Sequence, residues 1–340
     1  MSEIRHQGVL VLGEQRDGRL RQVTFELLNI GRQLADKLGV ELSCAVLGDN
    51  IVSLEEILAR GAHRVYYLRH KSLAQFLPGP YARALIRLIQ ETRPEIMVAA
   101  ATTTGRTVMP LVAAGVATGL TADCTELDID PETGLLLQTR PAIGGNIMAT
   151  IKTPDTRPQM ATVRPRAFAP AQSRQDGGGE VVEVQPAEDT FNLMEKFLAF
   201  IPDLTQEVNI QEADIIVTGG SGMKSPEGFG LVEELARELG AAVGATRAAV
   251  ELGWATYPHQ IGLSGKVVAP KLYIALGVAG QIQHLAGMQT SGVVVAVNED
   301  PEAQIFRVAD FGIVGDVLEV VPELIRAVRE IKSARGEVRS

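Results

Sequence analysis

A chain of 340 residues that is 46% hydrophobic and 21% charged has apolar material for about two cores. Its net charge of −9 argues against nucleic acid or an anionic membrane surface as a partner. Two cysteines, Cys44 and Cys124, make no disulfide framework; their apolar or small-residue surroundings read as buried free thiols, with one disulfide as the alternative.

Met1–Gln7 is polar and nothing near it resembles a signal peptide, so the expected compartment is the cytoplasm. The first part then alternates strand and helix. Gly8–Leu12 reads as a strand, Val23–Leu38 as a helix with Leu27, Leu28, Leu34 and Leu38 apolar, and Glu41–Leu47 as a strand. Leu54–Arg60 reads as a helix, Arg64–Leu68 as a strand, Tyr81–Glu91 as a helix that stops before Pro94, and Ile96–Ala100 as a strand. Strands separated by single helices predict a parallel sheet covered on both faces. Thr102–Arg106, TTTGR, follows a strand where a loop can cradle an anion. The low-charge run Thr107–Cys124 contains Pro110 and several Gly and Thr residues and is too broken to span a bilayer.

After Gly119 the pattern changes. Thr125–Ile129, Leu135–Thr139, Ile147–Thr153 and Met160–Val163 are short β-type runs, with the turn-rich DPETG between the first two. They predict an antiparallel extension added to the sheet. Pro165–Gly179 reads as a surface loop, and a linker is expected at Phe200–Asn209. The expected domains are therefore 1–202 and 203–340.

The second domain opens with the strand Ala213–Val217 and GGSG. The amphipathic helix Phe229–Leu239 and the strand Ala241–Ala245 follow, then TRAAV. Leu272–Leu276 and Val293–Val297 complete four strands. The polar candidates fall just after strand ends, where open α/β sheets bind ligands. The most informative stretch is PKLYIALGVAGQIQHLAGM: a strand, a glycine turn, and then Gln281, Gln283 and His284 where a packing helix would carry Ala or Leu. Turn glycines let the backbone approach a ligand, and a helix start offers unpaired N–H groups to an anion. GVAG lacks the GxGxxG spacing, so a dehydrogenase of the common dinucleotide type is not supported. The histidines His6, His63, His70, His259 and His284 show no metal-ligand spacing, and there is no GxSxG or P-loop.

From about Val9 to Arg326 the chain resembles the α subunit of electron transfer flavoproteins. The resemblance is densest in GLTADCTELDIDPETG with RPAIGGNIMATI and RPQMATVRP, in GATRAAVELGW, and from Pro270 to Pro322. It implies an α/β protein: an N-terminal doubly wound parallel sheet with the antiparallel extension, serving as a scaffold without cofactor, plus a C-terminal Rossmann-like FAD-binding domain.

The same resemblance assigns cofactor contacts. Gly220 and Ser221 in GGSG, Thr246 and Arg247 in GATRAAV, and Ala279, Gly280, Gln281, Ile282, Gln283 and His284 would touch FAD, with His284 near the flavin pyrimidine edge. The loop Gln260, Ile261, Gly262, Leu263 and Ser264 would wrap the ring, with the Ser264 hydroxyl at N5. Asn298, Asp316 and Val317 would lie on the adenosine side. Read from the residues alone, each has a plainer alternative. Arg247 can be a helix-surface arginine paired with Glu251 four residues on. His284 can be a satisfied structural histidine, the loop a polar surface loop, and Asn298 and Asp316 turn or cap residues.

Two positions depart from the family pattern. Ser221 stands where the family usually has Arg, and Ala279 where it often has Ser; both changes remove polar contacts, and Lys224 is a candidate to replace part of the charge. The implied function is an electron carrier. FAD is shared with a β subunit that itself holds AMP or a second FAD, and single electrons pass to and from acyl-CoA-type or other dehydrogenases. No nucleic acid and no direct membrane insertion are expected. The IGLSGK loop and the ADCTELDIDPETG wording lean toward the branch that oxidises NADH and bifurcates its electrons. A flavin-free nucleotide-binding or structural subunit is the alternative of another class.

Overall fold

Val9–Gly13, Ile96–Ala100 and Gln159–Val163 are buried at every residue, which only a sheet covered on both faces permits. The computed structural model describes residues 6–142, 147–173, 178–191, 195, 197–199, 210–211 and 213–334. They divide between two compact units, 1–200 and 201–340. The linker expected at 200–209 lies outside the described residues, as do residues 143–146 of the RPAIGGNIMATI segment.

The first unit is built on a seven-stranded sheet, parallel throughout. Its order is Glu180–Val184, Arg64–Arg69, Leu42–Gly48, Val9–Gly13, Ile96–Ala100, Gln159–Val163 and Leu120–Cys124. Successive side chains of a strand point to opposite faces. Val9, Val11, Val46 and Val98 accordingly meet Leu27, Leu28 and Leu34 of the helix Gln22–Leu38. Leu10, Leu12, Met97 and Ala99 meet Leu85 and Leu88 of the helix Pro78–Thr92, and Val108 and Val112 of the helix Thr103–Gly115. The sheet is thus doubly wound, as its strand–helix alternation predicts. Cys44 and Cys124 are buried free thiols.

Two features differ from expectation. Gln159–Val163 does not join the antiparallel extension; it is an interior parallel strand between Ile96–Ala100 and Leu120–Cys124. Gln159 sits fully buried there because its Oε1 accepts from Leu136 N at 2.9 Å and its Nε2 donates to Glu95 Oε1 at 3.2 Å. The extension is a separate antiparallel sheet of Glu126–Ile129, Leu136–Pro141 and Met148–Ile151. The segment Thr103–Gly115, for which the sequence predicts no element, is helical with Pro110 inside it. A proline removes one intrahelical bond, and burial of Val108, Met109, Val112 and Ala113 against the sheet offsets the loss. Thr102 caps this helix, its Oγ1 accepting from Gly105 N at 3.2 Å.

The second unit carries a five-stranded parallel sheet in the order Ala242–Ala245, Ile215–Gly219, Leu272–Leu276, Val293–Asn298 and Phe311–Val314. The fifth strand, an exposed edge, lies beyond the four expected, and the helix Val317–Ala334 follows it. The helix Pro226–Leu239 starts with Ser225 Oγ accepting from Gly228 N at 3.1 Å and with proline at its first position. Arg329 ties the two helices together through Glu234 and Glu238. The chain runs first from Ile215–Gly219 to one side, then crosses to Leu272–Leu276 on the other, so the sheet reverses direction between these two strands. That reversal opens a crevice at their carboxyl ends.

In the first unit, a Cβ on Gly105 would stand 1.8 Å from the Ala100 carbonyl oxygen. Gly105→Ala is expected to lower stability by roughly 3 kcal/mol, read as a lower urea midpoint with unchanged slope. An unchanged midpoint would mean that this helix does not start against that carbonyl.

Candidate functional site

The strand Ile215–Gly219 ends in Gly220 and the short turn Ser221–Met223, and Leu272–Leu276 ends in Gly277 and Val278. The two turns lie backbone against backbone. Gly220 N donates to Leu276 O at 2.9 Å and Gly222 N to Gly277 O at 3.0 Å. A Cβ on Gly220 would stand 2.2 Å from Gly277 O, and Gly277 itself has φ +62°. Only glycine fits this contact.

Beside the paired turns is a cavity of about 370 Å³. Four segments wall it: Gly220 and Ser221, Thr246 to Ala248, Ile261 to Ser264, and Val278 to Gln281 with Gln283 and His284. Of the eighteen residues the sequence singles out, the cavity thus gathers thirteen. Gln260, Ile282, Asn298, Asp316 and Val317 are not on its wall.

Those five have other work. Gln260 is buried, and its Nε2 donates to Ser264 Oγ at 3.0 Å. The serine hydroxyl therefore accepts from Gln260 and keeps its own proton to donate elsewhere. Asn298 is also buried; it donates to Val278 O at 2.9 Å and accepts from Asp300 N at 3.0 Å, bracing the glycine turn. Asp316 accepts from Leu318 N at 2.9 Å at the start of the last helix, and the Lys224 ammonium holds its carboxyl below the usual range. Val317 packs in the core with Phe229 and Ile325. Ile282 is half exposed on the short helix Ile282–Leu285.

Lys224 does not replace the missing arginine charge at Ser221. Its Nζ sits 2.9 Å from Asp316 and 3.0 Å from Glu299, and it is not on the cavity wall. Thr246 caps the helix Arg247–Glu251, its Oγ1 accepting from Ala249 N at 3.3 Å. Arg247 lines the cavity, yet its side chain is 71% exposed and its Nε donates to Glu251 Oε1 at 2.8 Å. Arg247 thus sits on the cavity wall and in the i, i+4 pair with Glu251 at once. The loop carrying Ser264 is pinned at several points. Ile261 N donates to Ala245 O, Lys266 N to Gln260 O, Leu263 N to Gln283 O, and Tyr257 Oη to Ser264 O.

His284 reaches the wall but turns both ring nitrogens inward. Nδ1 is 3.1 Å from Ile261 O, and Nε2 is 2.9 Å from Tyr273 Oη. A carbonyl can only accept, so Nδ1 carries the proton and Nε2 accepts from the tyrosine hydroxyl. Burial pushes this histidine down to about 4, only partly offset by the Ile261 carbonyl. Sequence reading missed Tyr273. Its signal was a phenol in the middle of an apolar strand, since a buried tyrosine hydroxyl needs a partner.

The cavity offers apolar walls, a glycine cradle, the Ser264 hydroxyl, two amides and one guanidinium. Among the residues lining it there is no carboxylate, and among the described residues no group of His, Cys, Asp and Glu could hold a metal ion. This suits a flat, partly anionic group held in place. Among the described residues no helix is long and apolar enough to cross a membrane.

Residues 9–189 match the electron transfer flavoprotein domain, and residues 209–289 the electron transfer flavoprotein FAD-binding domain. The chain is 46% identical to the electron transfer flavoprotein subunit alpha of Thermoanaerobacterium thermosaccharolyticum, over 96% of this chain and 99% of that one. It is 47% identical to Protein FixB of Clostridium saccharobutylicum, over 97% and 98%. It is 39% identical to the lactate dehydrogenase (NAD(+),ferredoxin) subunit LctC of Acetobacterium woodii, over 95% of this chain and 77% of that one. The chain belongs to the electron transfer flavoprotein α-subunit family. The cavity lies within the unit that contains the matched FAD-binding stretch.

The turn geometry can be tested without any ligand. Gly280 has φ +77°, and a Cβ there would stand 2.2 Å from Ile305 N. Gly280→Ala is expected to cost roughly 2–3 kcal/mol. Gly230, inside the helix Pro226–Leu239, has open space around it. Gly230→Ala should instead stabilise by about 0.5–1 kcal/mol. Denaturant melts of both variants check the pair; equal effects would contradict the packing of the GVAG turn.

Proposed function

We propose that this chain binds FAD in the cavity at the sheet reversal and serves as the α subunit of a heterodimeric electron carrier. The observation that carries the reading is the paired glycine turns with Arg247 and Ser264 on one cavity wall. The residues fit the group. The paired glycine turns bring Gly220 and the Val278–Gly280 backbone together at one side of the cavity, and Ser264 keeps a hydroxyl proton because Gln260 occupies its acceptor side. Bound FAD supplies the redox chemistry. The chain holds the ring, presents a hydrogen-bond donor and sets the local charge. In this reading 203–340 carries the cofactor, with Asn298, Asp316 and Val317 supporting the turns it rests on. The 1–202 domain is the scaffold that meets a β subunit holding AMP or a second FAD. Dehydrogenases of the acyl-CoA or another type are the electron donors, in the cytoplasm.

A second reading places the chain in an electron-bifurcating complex that oxidises NADH. The support is its similarity to LctC, a subunit whose printed name couples NAD(+) with ferredoxin. Coexpression with the β subunit decides between the readings. Two FAD per αβ pair with bleaching by NADH is expected for bifurcation. One FAD with one AMP and no bleaching returns the chain to the simple shuttle. A colourless, stable αβ pair would reject the flavin reading and favour a flavin-free subunit, in keeping with Ser221 and Ala279.

Arg247 is the permanent charge on the wall, and arginine cannot lose its proton there. A charge-assisted hydrogen bond to the reduced ring would be worth roughly 1.5–3 kcal/mol, or about 65–130 mV for one electron. Arg247→Ala is expected to lower the first flavin midpoint potential by that order, and Arg247→Lys to restore part of it. An unchanged spectroelectrochemical titration would remove Arg247 from the site.

A further inference from the structure

We propose that Tyr273 is a positioning residue of the cofactor site, which holds His284 neutral by donating its hydroxyl to Nε2. Arg247 is then the one positive charge among the described residues that line the cavity. The inference concerns how the wall meets a bound flavin, and to that extent it rests on the reading above.

Tyr273 is fully buried in the strand Leu272–Leu276, so its hydroxyl cannot turn to water. It lies 2.9 Å from His284 Nε2, while the other ring nitrogen is 3.1 Å from Ile261 O. The ring is bridged between a rigid strand and the base of the loop that carries Ser264. Protonating Nε2 would set a new N–H against the Tyr273 O–H. The hydroxyl would have to give up its donor role to Nε2 and turn to the buried Thr218 hydroxyl on the neighbouring strand, the other polar group beside it. A hydrogen bond donated to the neutral form of a base disfavours its charged form.

Burial itself disfavours the charged ring, and the Ile261 carbonyl, which accepts from Nδ1, is the group that pulls the other way. From the strand, the facing group is Tyr273; from the loop, it is the Ile261 carbonyl. The residues lining the cavity include Arg247 as their one charged side chain and no carboxylate that would favour an imidazolium. His259, at the start of the same loop, is engaged through Nδ1 with Val243 O at 2.9 Å. His284 therefore contributes shape and a polar ring edge, and the guanidinium contributes the charge.

The test is NMR of histidine ring nitrogens in the full chain, free and with FAD, with His284→Gln used to assign the signal. In the unsubstituted protein His284 is expected to keep the neutral, Nδ1-protonated pattern from about pH 8 to about pH 5. In Tyr273→Phe its proton affinity should rise about tenfold, the loss of one hydrogen bond to the neutral ring. An Nε2-protonated ring, or titration near the ordinary histidine value in the unsubstituted protein, would overturn the proposal. So would a Tyr273→Phe titration that matches the unsubstituted one. If that variant does not fold, the unsubstituted protein still decides the charge of His284, and a fluorinated tyrosine at 273, nearly the same size, supplies the second arm. Should the chain take up no FAD at all, the free-chain spectra still decide the Tyr273–His284 pair, so the two readings fail separately.

Discussion

The backbone contact between the Gly220 turn and the Gly277 turn is the constraint on which the second unit depends. Two parallel strands that are neighbours in the sheet but distant in sequence end side by side, and their turns leave no room for a side chain between them. The hydrogen bonds from Gly220 and Gly222 to the opposite turn satisfy backbone groups that would otherwise be buried without partners. The resulting crevice has a backbone floor. Thr246 N, which donates to Gly219 O, and Asn298, which donates to Val278 O, carry that geometry into the neighbouring strand ends.

Much of the polarity near the cavity supports this frame and does not face the cavity itself. Asn298 and Asp316 brace turns, Lys224 joins Asp316 to Glu299, and Gln260 orients Ser264. Of these, Gln260 and Asn298 are buried and bonded, so they lose little freedom when a ligand arrives and that part of the site is organised in advance. Few groups remain to interact with a ligand: the Ser264 hydroxyl, the glutamine amides and the Arg247 guanidinium. A site with one exposed cation and no wall carboxylate stabilises negative charge and offers no acid–base pair. That agrees with membership of an electron-carrier family, in which the cofactor supplies the chemistry and the protein the environment.

The two units show one principle applied differently. Both are parallel sheets with helices on their faces, yet the central strand of the first unit, Val9–Gly13, runs into a buried cap network where the neighbouring strand ends of the second border a cavity. Glu14, at the end of Val9–Gly13, is buried and bonded by Arg21, and the Thr102 hydroxyl donates to its other oxygen. A carboxylate with two side-chain partners closes that strand end in the first unit; paired glycine turns close the corresponding place in the second.

The sequence by itself determined the strand–helix alternation, the helix end before Pro94 and the glycine turns, because periodicity, proline and glycine act within a few residues. Most of the cavity wall was legible only through the resemblance to the family. Tertiary structure decided the rest. Gln159–Val163 became an interior parallel strand because Leu136 and Glu95, from other segments, satisfy Gln159. Thr103–Gly115 stayed helical across Pro110 because the sheet buries its apolar face. Phe311–Val314 joined the second sheet by pairing with Val293–Asn298, although its side chains are exposed and carry no alternating pattern to read. Lys224, Gln260 and His284 each had a legible charge or donor set, but their partners come from other elements. Which of them faces the cavity is a matter of hydrogen bonds that only folding brings within reach.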